Sequence, residues 1–299
     1  MEKSRFYKHS EKNRYLRGKR MTLIIGARCV DGVVLVSDKK VVDTESNEHT
    51  YKNKLYFPVP NTGVVVGAAG LANLFDEFNS KLPLIVQQRL AEIRIKNIES
   101  LRRIGEKIED YEIPPKAPEE LKAGQEIKEK EEKPRKKKTG LTQLPYIYSI
   151  PDFLDDCRSL IKEICSRDES NGLDVLIAVS VPNQPPDLFH IDFLGSMNRE
   201  NTCAIGSGAP YWNIFKRKMR TDMTVAETAR LFSFVVRCVE ELELDKYVGV
   251  GDDTPDIKLL GNDGKPYIIN LTQDTINSER EFAKNQVNSL RNAILEIPL

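Results

Sequence analysis

Histidine and cysteine are scarce in this sequence, and neither is arranged for metal chemistry or cross-linking. The three histidines (His9, His49, His190) lie far apart, so a His-rich metal centre is not expected, and no cofactor is expected. The five cysteines (Cys29, Cys157, Cys165, Cys203, Cys238) are odd in number and widely spaced, with no C-x-x-C pair. That disfavours a disulfide framework or a structural zinc site and fits a reducing, cytoplasmic compartment. No stretch approaches the roughly 20 apolar residues that span a bilayer. The start, MEKSRFYKHSEKNRYLRGKR, lacks the apolar middle of a secretory signal. Net charge is absent too: 45 Lys and Arg balance 45 Asp and Glu, so no whole-molecule field draws the chain to nucleic acid or to a membrane surface.

What is present is a chain of 299 residues, long enough for one large domain with a substantial core. Its charge is local. Residues 1–20 hold eight basic side chains against two acidic ones and have no apolar periodicity, so they read as a basic leader outside the fold. A second polar block, about 94–145, centres on PPKAPEELKAGQEIKEKEEKPRKKKTG. Its prolines and clustered charges cannot build a core, so it reads as an insertion, part charged helix and part tether.

The remainder is patterned. TLIIGARCVDGVVLVSDKKVV (22–42) is two β-rich runs joined at Asp31-Gly32, a hairpin signal. YKNKLYFPVP and TGVVVGAAG continue as short strands. Leu71, Leu74, Phe75, Phe78 and Leu82 recur at helical spacing up to Pro83, with more helix-like sequence beyond. Leu154, Cys157, Ile161 and Ile164 mark a second helix, LDVLIAVSV and DLFHIDFLG two strands, and NTCAIGSGAP a strand ending in a glycine loop. Val225, Ala229, Phe232, Val236 and Val239 mark a third helix, IKLLGNDGKPYIINL a hairpin, and Ile276 to Ile294 a last helix. This order suits sheets packed between layers of helix.

Three polar residues stand at the ends of the early strands: Thr22, Asp38 and Lys54. Singly each has an ordinary explanation: β propensity, a turn, solvation. Together, TLIIGARCVDGVVLVSDKKVV followed by NKLYFP resembles the opening of a proteasome β subunit, with the spacing from Thr22 through Asp38 to Lys54 intact. VVVGAAGLANLFDEF also looks like the peptidase component of the bacterial two-part ATP-dependent protease. CAIGSGAPYW and MTVAETARLFSFVVRCV resemble the family's Gly-Ser-Gly loop and following helix. The resemblance covers most of 22–92 and 146–297, leaving the leader (1–21) and the 94–145 insertion outside a single 22–299 domain.

The resemblance implies an α+β fold, the four-layer αββα sandwich of N-terminal-nucleophile hydrolases, and a threonine-type peptidase. Thr22 would be the nucleophile, with its own α-amine as base. Lys54 would depress the pKa of that amine, and Asp38 would hold and neutralise Lys54. Gly67 would offer a backbone N–H to the oxyanion. Ser207, in Gly206-Ser207-Gly208, matches an accessory serine near the amine, and Asp245 is the best match for the family's further acid. GVGDDTPD stands where a Ser-Gly-Gly is usual, so a second accessory serine is missing. Val41, Lys52, Val65 and Ala69 would shape the first substrate pocket, for cleavage after hydrophobic residues.

An amide-bonded Thr22 has no basic amine. Translation from Met21 with methionine removal, or autocatalytic removal of residues 1–21, would expose it. The implied partners are self or related subunits in a ring, unfolded polypeptide substrates and an ATPase unfoldase. The alternatives are an inactive β-type ring subunit and a free-standing amidohydrolase of the same nucleophile class.

Overall fold

The computed structural model describes residues 22–42, 48–104 (backbone alone over 93–104), 150–167, 172–181, 184–251 and 253–266, with several residues between 277 and 289. The leader, the insertion beyond Ile104, the second strand of the 257–271 hairpin and most of the last helix lie outside the described residues.

Two sheets and two groups of helices make a mixed α/β fold. Strands β1 (Ile24–Cys29) and β2 (Gly32–Ser37) form the expected hairpin, in register from Ile24↔Ser37 to Cys29↔Gly32. The turn itself is Val30-Asp31, one residue earlier than the Asp-Gly signal suggested. Gly32 is instead the first residue of β2, where a Cβ would lie 2.1 Å from the Leu260 carbonyl oxygen. All six residues of β2 are buried, as a strand covered on both faces requires.

The strands β3 (Lys40–Val42) and β4 (His49–Tyr51) form a small ribbon. Next come β5 (Leu55–Tyr56), β6 (Val64–Gly70), helices α1 (Ala72–Ile104) and α2 (Ile150–Cys165), and strands β7 (Leu173–Val179), β8 (Asp187–Ile191), β9 (Met197–Glu200) and β10 (Thr202–Ile205). Helices α3 (Ala209–Phe215) and α4 (Val225–Glu241) precede β11 (Asp256–Gly261). One sheet has the order β10-β1-β2-β11 and the other β5-β6-β7-β8-β9.

Three apolar seams hold these parts. α1 and α2 pack on the five-stranded sheet through Phe78, Leu82, Phe153, Ile161, Val66 and Ile177. The two sheets meet through Ile24, Leu35, Leu55, Val65, Leu176 and Leu188. α3 and α4 cover the other face of the four-stranded sheet through Trp212, Phe232, Val236, Ile25 and Val34. Alternation along each strand divides its residues between seams: Ile24 faces one and Ile25 the other.

Pro83 does not end α1, which runs on to Ile104. Phe78, Leu82, Val86 and Leu90, four residues apart on one face, are all buried, and that burial outweighs the roughly 3 kcal/mol cost of an internal proline. α4 starts with a capping box: the Thr224 hydroxyl accepts from Glu227 N and the Glu227 carboxylate accepts from Thr224 N. Asp31, in the β1–β2 turn, adds a third acceptor for the helix start, taking the Val225 N–H at 2.8 Å.

Candidate active site

The open end of the β1–β2 hairpin builds the site. Because Ile24 pairs with Ser37, the residues just outside the ladder, Leu23 and Asp38, also face each other. Asp38 N donates to Leu23 O at 3.0 Å, and Leu23 N donates to Asp38 Oδ1 at 2.8 Å. Thr22 therefore starts the strand directly over the Asp38 carboxylate and donates its hydroxyl proton to Oδ1 at 2.5 Å. Lys54 arrives from the other sheet, immediately before β5. Its ammonium donates to Thr22 Oγ1 at 2.7 Å, to both Asp38 oxygens at 2.9 Å and to the Lys40 carbonyl at 2.7 Å.

All three residues are buried: Thr22 is 3% exposed, Asp38 0% and Lys54 8%. Burial pushes the Asp38 carboxyl upward and the Lys54 ammonium downward, while their mutual attraction and hydrogen bonds oppose both shifts. An ammonium made easier to deprotonate, in contact with a hydroxyl whose proton points to a carboxylate, is a proton-transfer unit centred on Thr22 Oγ1.

The other expected residues divide. The charge of Asp245 acts favourably on the Lys54 ammonium, and its carboxylate accepts from Tyr247 N at 2.9 Å, closing the loop before Gly249. Ser207 lies in the loop that grips Thr22: Gly208 N donates to Thr22 O at 3.1 Å. The Ser207 hydroxyl is buried and has no hydrogen-bond partner among the described residues. Gly206, at φ +94°, must be glycine on two counts: backbone conformation, and a Cβ that would fall 2.1 Å from the Thr22 carbonyl oxygen.

Gly67, expected to offer its N–H to an oxyanion, is placed in a strand with close neighbours on both sides. It sits inside β6, paired with Leu55 on one side and Leu176 on the other, three residues before the strand ends. Its missing side chain makes room for Leu55 (2.5 Å from a built Cβ) and Ile24 (3.2 Å). Of the residues expected to shape the first substrate pocket, Val65 and Ala69 are buried in the seam between the sheets and Lys52 is exposed.

One residue escaped the sequence reading. Asp256, at the start of β11 and opposite Ser37, accepts both Lys54 N (2.9 Å) and Leu55 N (2.7 Å) on Oδ2. It fixes the backbone from which the Lys54 side chain departs and ties β5 to the other sheet. A carboxylate at the head of an apolar run (Asp256 before IKLL) was the only available signal, and it is a weak one.

Comparison with known proteins bears on the fold. A family model described as "Proteasome subunit" matches residues 156–250. Two solved structures share the fold: Anbu from Hyphomicrobium sp. strain MC1 (a Gly-1 mutant) and Anbu, described as an ancestral beta-subunit, from Yersinia bercovieri. Each is 15% identical with a TM-score of 0.57, over 93% of this chain and 98% of the other. No match is found among curated protein sequences. The chain is thus similar to a proteasome subunit over residues 156–250, and its fold is similar to that of these two structures.

Proposed function

We propose that the chain is a threonine-type amide hydrolase, an endopeptidase subunit of a cytoplasmic proteasome-like ring, with Thr22 as nucleophile. The observation that carries this reading is the Thr22 hydroxyl held between the Asp38 carboxylate at 2.5 Å and the Lys54 ammonium at 2.7 Å. Once residues 1–21 are removed, the Thr22 amine is free to take the hydroxyl proton, directly or through water. Its reference pKa of about 7.7–8.0, lowered further by the Lys54 charge, suits that task near neutral pH. Thr22 Oγ1 then attacks the substrate carbonyl, and the amine protonates the leaving nitrogen. Water hydrolyses the resulting ester by the same route in reverse. The three apolar seams support the four-layer αββα arrangement that this chemistry is built on elsewhere.

Ring partners drawn from copies of this chain or related subunits, unfolded polypeptide as substrate, and an ATPase that delivers it belong to the same proposal. Two features favour an inactive ring subunit for any form that keeps its leader: Thr22 is then amide-bonded, and only 3% of it is exposed.

The experiment compares the full-length chain, a chain initiated at Met21 and its Thr22→Ala variant on a panel of fluorogenic peptides, with intact mass and N-terminal sequencing of each. The expected result is cleavage only where sequencing finds Thr22 first, abolished by Thr22→Ala. Equal cleavage by the full-length, leader-bearing chain and by Thr22→Ala removes Thr22 from the chemistry.

A further inference from the structure

Both sheets end at one corner, and their edges are built differently. β9 ends the five-stranded sheet, and β10, after the single residue Asn201, ends the other. The edge of β9 carries Asn198, Arg199 and Glu200, side chains of the kind that keep a sheet edge from pairing further. β10 is Thr-Cys-Ala-Ile, with neither charge nor proline to block it.

Among the described residues β10 pairs with β1 alone. Arg28, one step past the Ala27↔Thr202 pair, donates its N–H to the Asn201 carbonyl at 2.9 Å. Bonding residues alternate along an antiparallel pair, so Asn201, Cys203 and Ile205 bond to β1. The N–H and C=O groups of Thr202 and Ala204 therefore point off the sheet. They border a cavity of about 540 Å³, the size of a site for a short chain segment rather than for a second folded chain.

Charge does not choose the occupant. Glu200, Asp174 and Lys216 all line the cavity, and Asp174 has a partner of its own. Both signs are felt at Cys203: burial pushes its thiol up to about 11, Glu200 and Asp174 add to the rise, and Lys216 opposes it. What the walls leave unanswered is hydrogen bonding. Thr202 Oγ1 and Trp212 Nε1 are buried and lack a partner among the described residues, which is unusual unless something bound supplies one. A row of backbone donors and acceptors between walls of mixed charge suits an uncharged, extended peptide backbone.

Direction narrows the choice. β10 runs toward the nucleophile: it leads into Gly206, where a Cβ would lie 2.8 Å from Thr22 Cγ2. Every pairing in this sheet is antiparallel. A strand added in the same sense runs away from Thr22, as the leaving side of a cleaved polypeptide does. We propose that the open edge of β10 takes an extended segment of the substrate chain, on the leaving side of the cut bond, as an added antiparallel strand. The identity of the segment rests on Thr22 as nucleophile; the strand-adding edge does not. An added strand lies two inter-strand spacings, about 10 Å, from β1, so pairing begins about three residues past the cut bond. Because backbone is what the edge reads, the site accepts many sequences.

Two measurements test this. Trp212 is the only tryptophan in the sequence and lines the cavity, so its emission reports occupancy. The full chain carrying Thr22→Ala, which is not expected to cut, is titrated with an acetylated and amidated Ala-Thr hexapeptide, and with the same peptide methylated at every backbone nitrogen. A saturable change is expected with the first, weakened about tenfold or more by methylation and by adding Ala204→Pro, which removes an outward N–H from an edge strand where proline is tolerated. Equal binding of the two peptides, or no response up to about 10 mM, overturns strand addition whether or not Ala204→Pro folds. A chain that begins at Thr22 is then given quenched peptides with one acyl side and leaving sides of two or six residues. The longer peptide should have kcat/KM about tenfold higher, a ratio that falls to about one in Ala204→Pro. A ratio near one in the unaltered chain, or one that Ala204→Pro does not move, overturns the leaving-side assignment. Hexapeptide binding without cleavage of any peptide defeats the Thr22 reading and leaves the strand-adding edge standing.

Discussion

Four oxygens converge on the Lys54 ammonium: two from Asp38, one from Thr22 and one from the Lys40 carbonyl. Such a pair is held against desolvation. The carboxyl of Asp38 is pushed above its ordinary 3.8, so its ionised form costs stability once pH rises through the folded value. The ammonium of Lys54 is pushed below its ordinary 10.5, so its charged form costs stability once pH falls through the folded value. Wherever both groups are ionised, both charges are maintained at the fold's expense. Asp38→Leu combined with Lys54→Met should therefore unfold at the same urea concentration as the unaltered chain, or higher, while cleavage disappears. Either single change should lose about 3–5 kcal/mol, because it strands one buried charge. A double variant less stable than both singles would show that the pair stabilises the fold. Asp256 permits a finer test. Asp256→Ala frees two amides that fix the Lys54 backbone and should lower kcat about a hundredfold with KM little changed. Asp256→Asn keeps one acceptor oxygen and should recover most of that loss. Equal losses in the two variants would mean that the charge, not the acceptor, is what matters.

At the scale of elements, the end of α4 secures the loop beneath the site. Glu240 Oε1 accepts Val250 N and Gly251 N, both at 2.9 Å, and Arg237 donates to the carbonyls of Gly251 and Asp253. The loop held this way returns Gly249, whose carbonyl accepts Lys39 N and Lys40 N at 2.9 Å and whose amide approaches Asp38 Oδ2 at 3.4 Å. Glu240→Ala should cost about 1–3 kcal/mol in urea unfolding, the expense of two unpaired amides, and should also lower kcat, since Lys40 offers its carbonyl to Lys54. Lost stability with full kcat would separate the loop from catalysis. Elements of this kind were unevenly legible in the sequence. The β1–β2 hairpin and α4 were plain because strict alternation and four-residue periodicity carry to their ends. β9 was not, since Met197, Asn198 and Arg199 are exposed and Glu200 half-buried, leaving no apolar signal. Nor was α3, only seven residues long behind a glycine loop. Within the site, Thr22, Asp38 and Lys54 each have an ordinary explanation singly and stood out only through their joint spacing, which resembles the opening of a proteasome β subunit. Gly67 was not decided there, because a glycine needed for close sheet packing and one needed beside a substrate look the same in one dimension.

At the scale of the whole molecule, zero net charge means that copies of the chain do not repel one another at long range near neutral pH. Association then depends on local surfaces. Leu84 on α1, Ile214 on α3 and Phe282 are more than half exposed, with relative accessibilities of 63%, 66% and 56%. None of these side chains hydrogen-bonds to Thr22, Asp38 or Lys54, so assembly and the nucleophile can be tested separately. A chain initiated at Met21 should run in native mass spectrometry as a multimer, and its peptide cleavage should travel with that multimer on gel filtration. Ile214→Glu, which places a charge on one exposed apolar side chain, should shift the mass toward smaller species if α3 lies in the contact. Among the described residues the Thr22 hydroxyl bonds only to Asp38 and Lys54, so a monomer of Ile214→Glu still able to cleave small fluorogenic peptides would locate the chemistry in the single chain. Activity that instead vanishes with the multimer would mean that a neighbouring copy completes the site. Cleavage confined to a monomer in the unaltered protein would defeat the ring and leave a free-standing amidohydrolase.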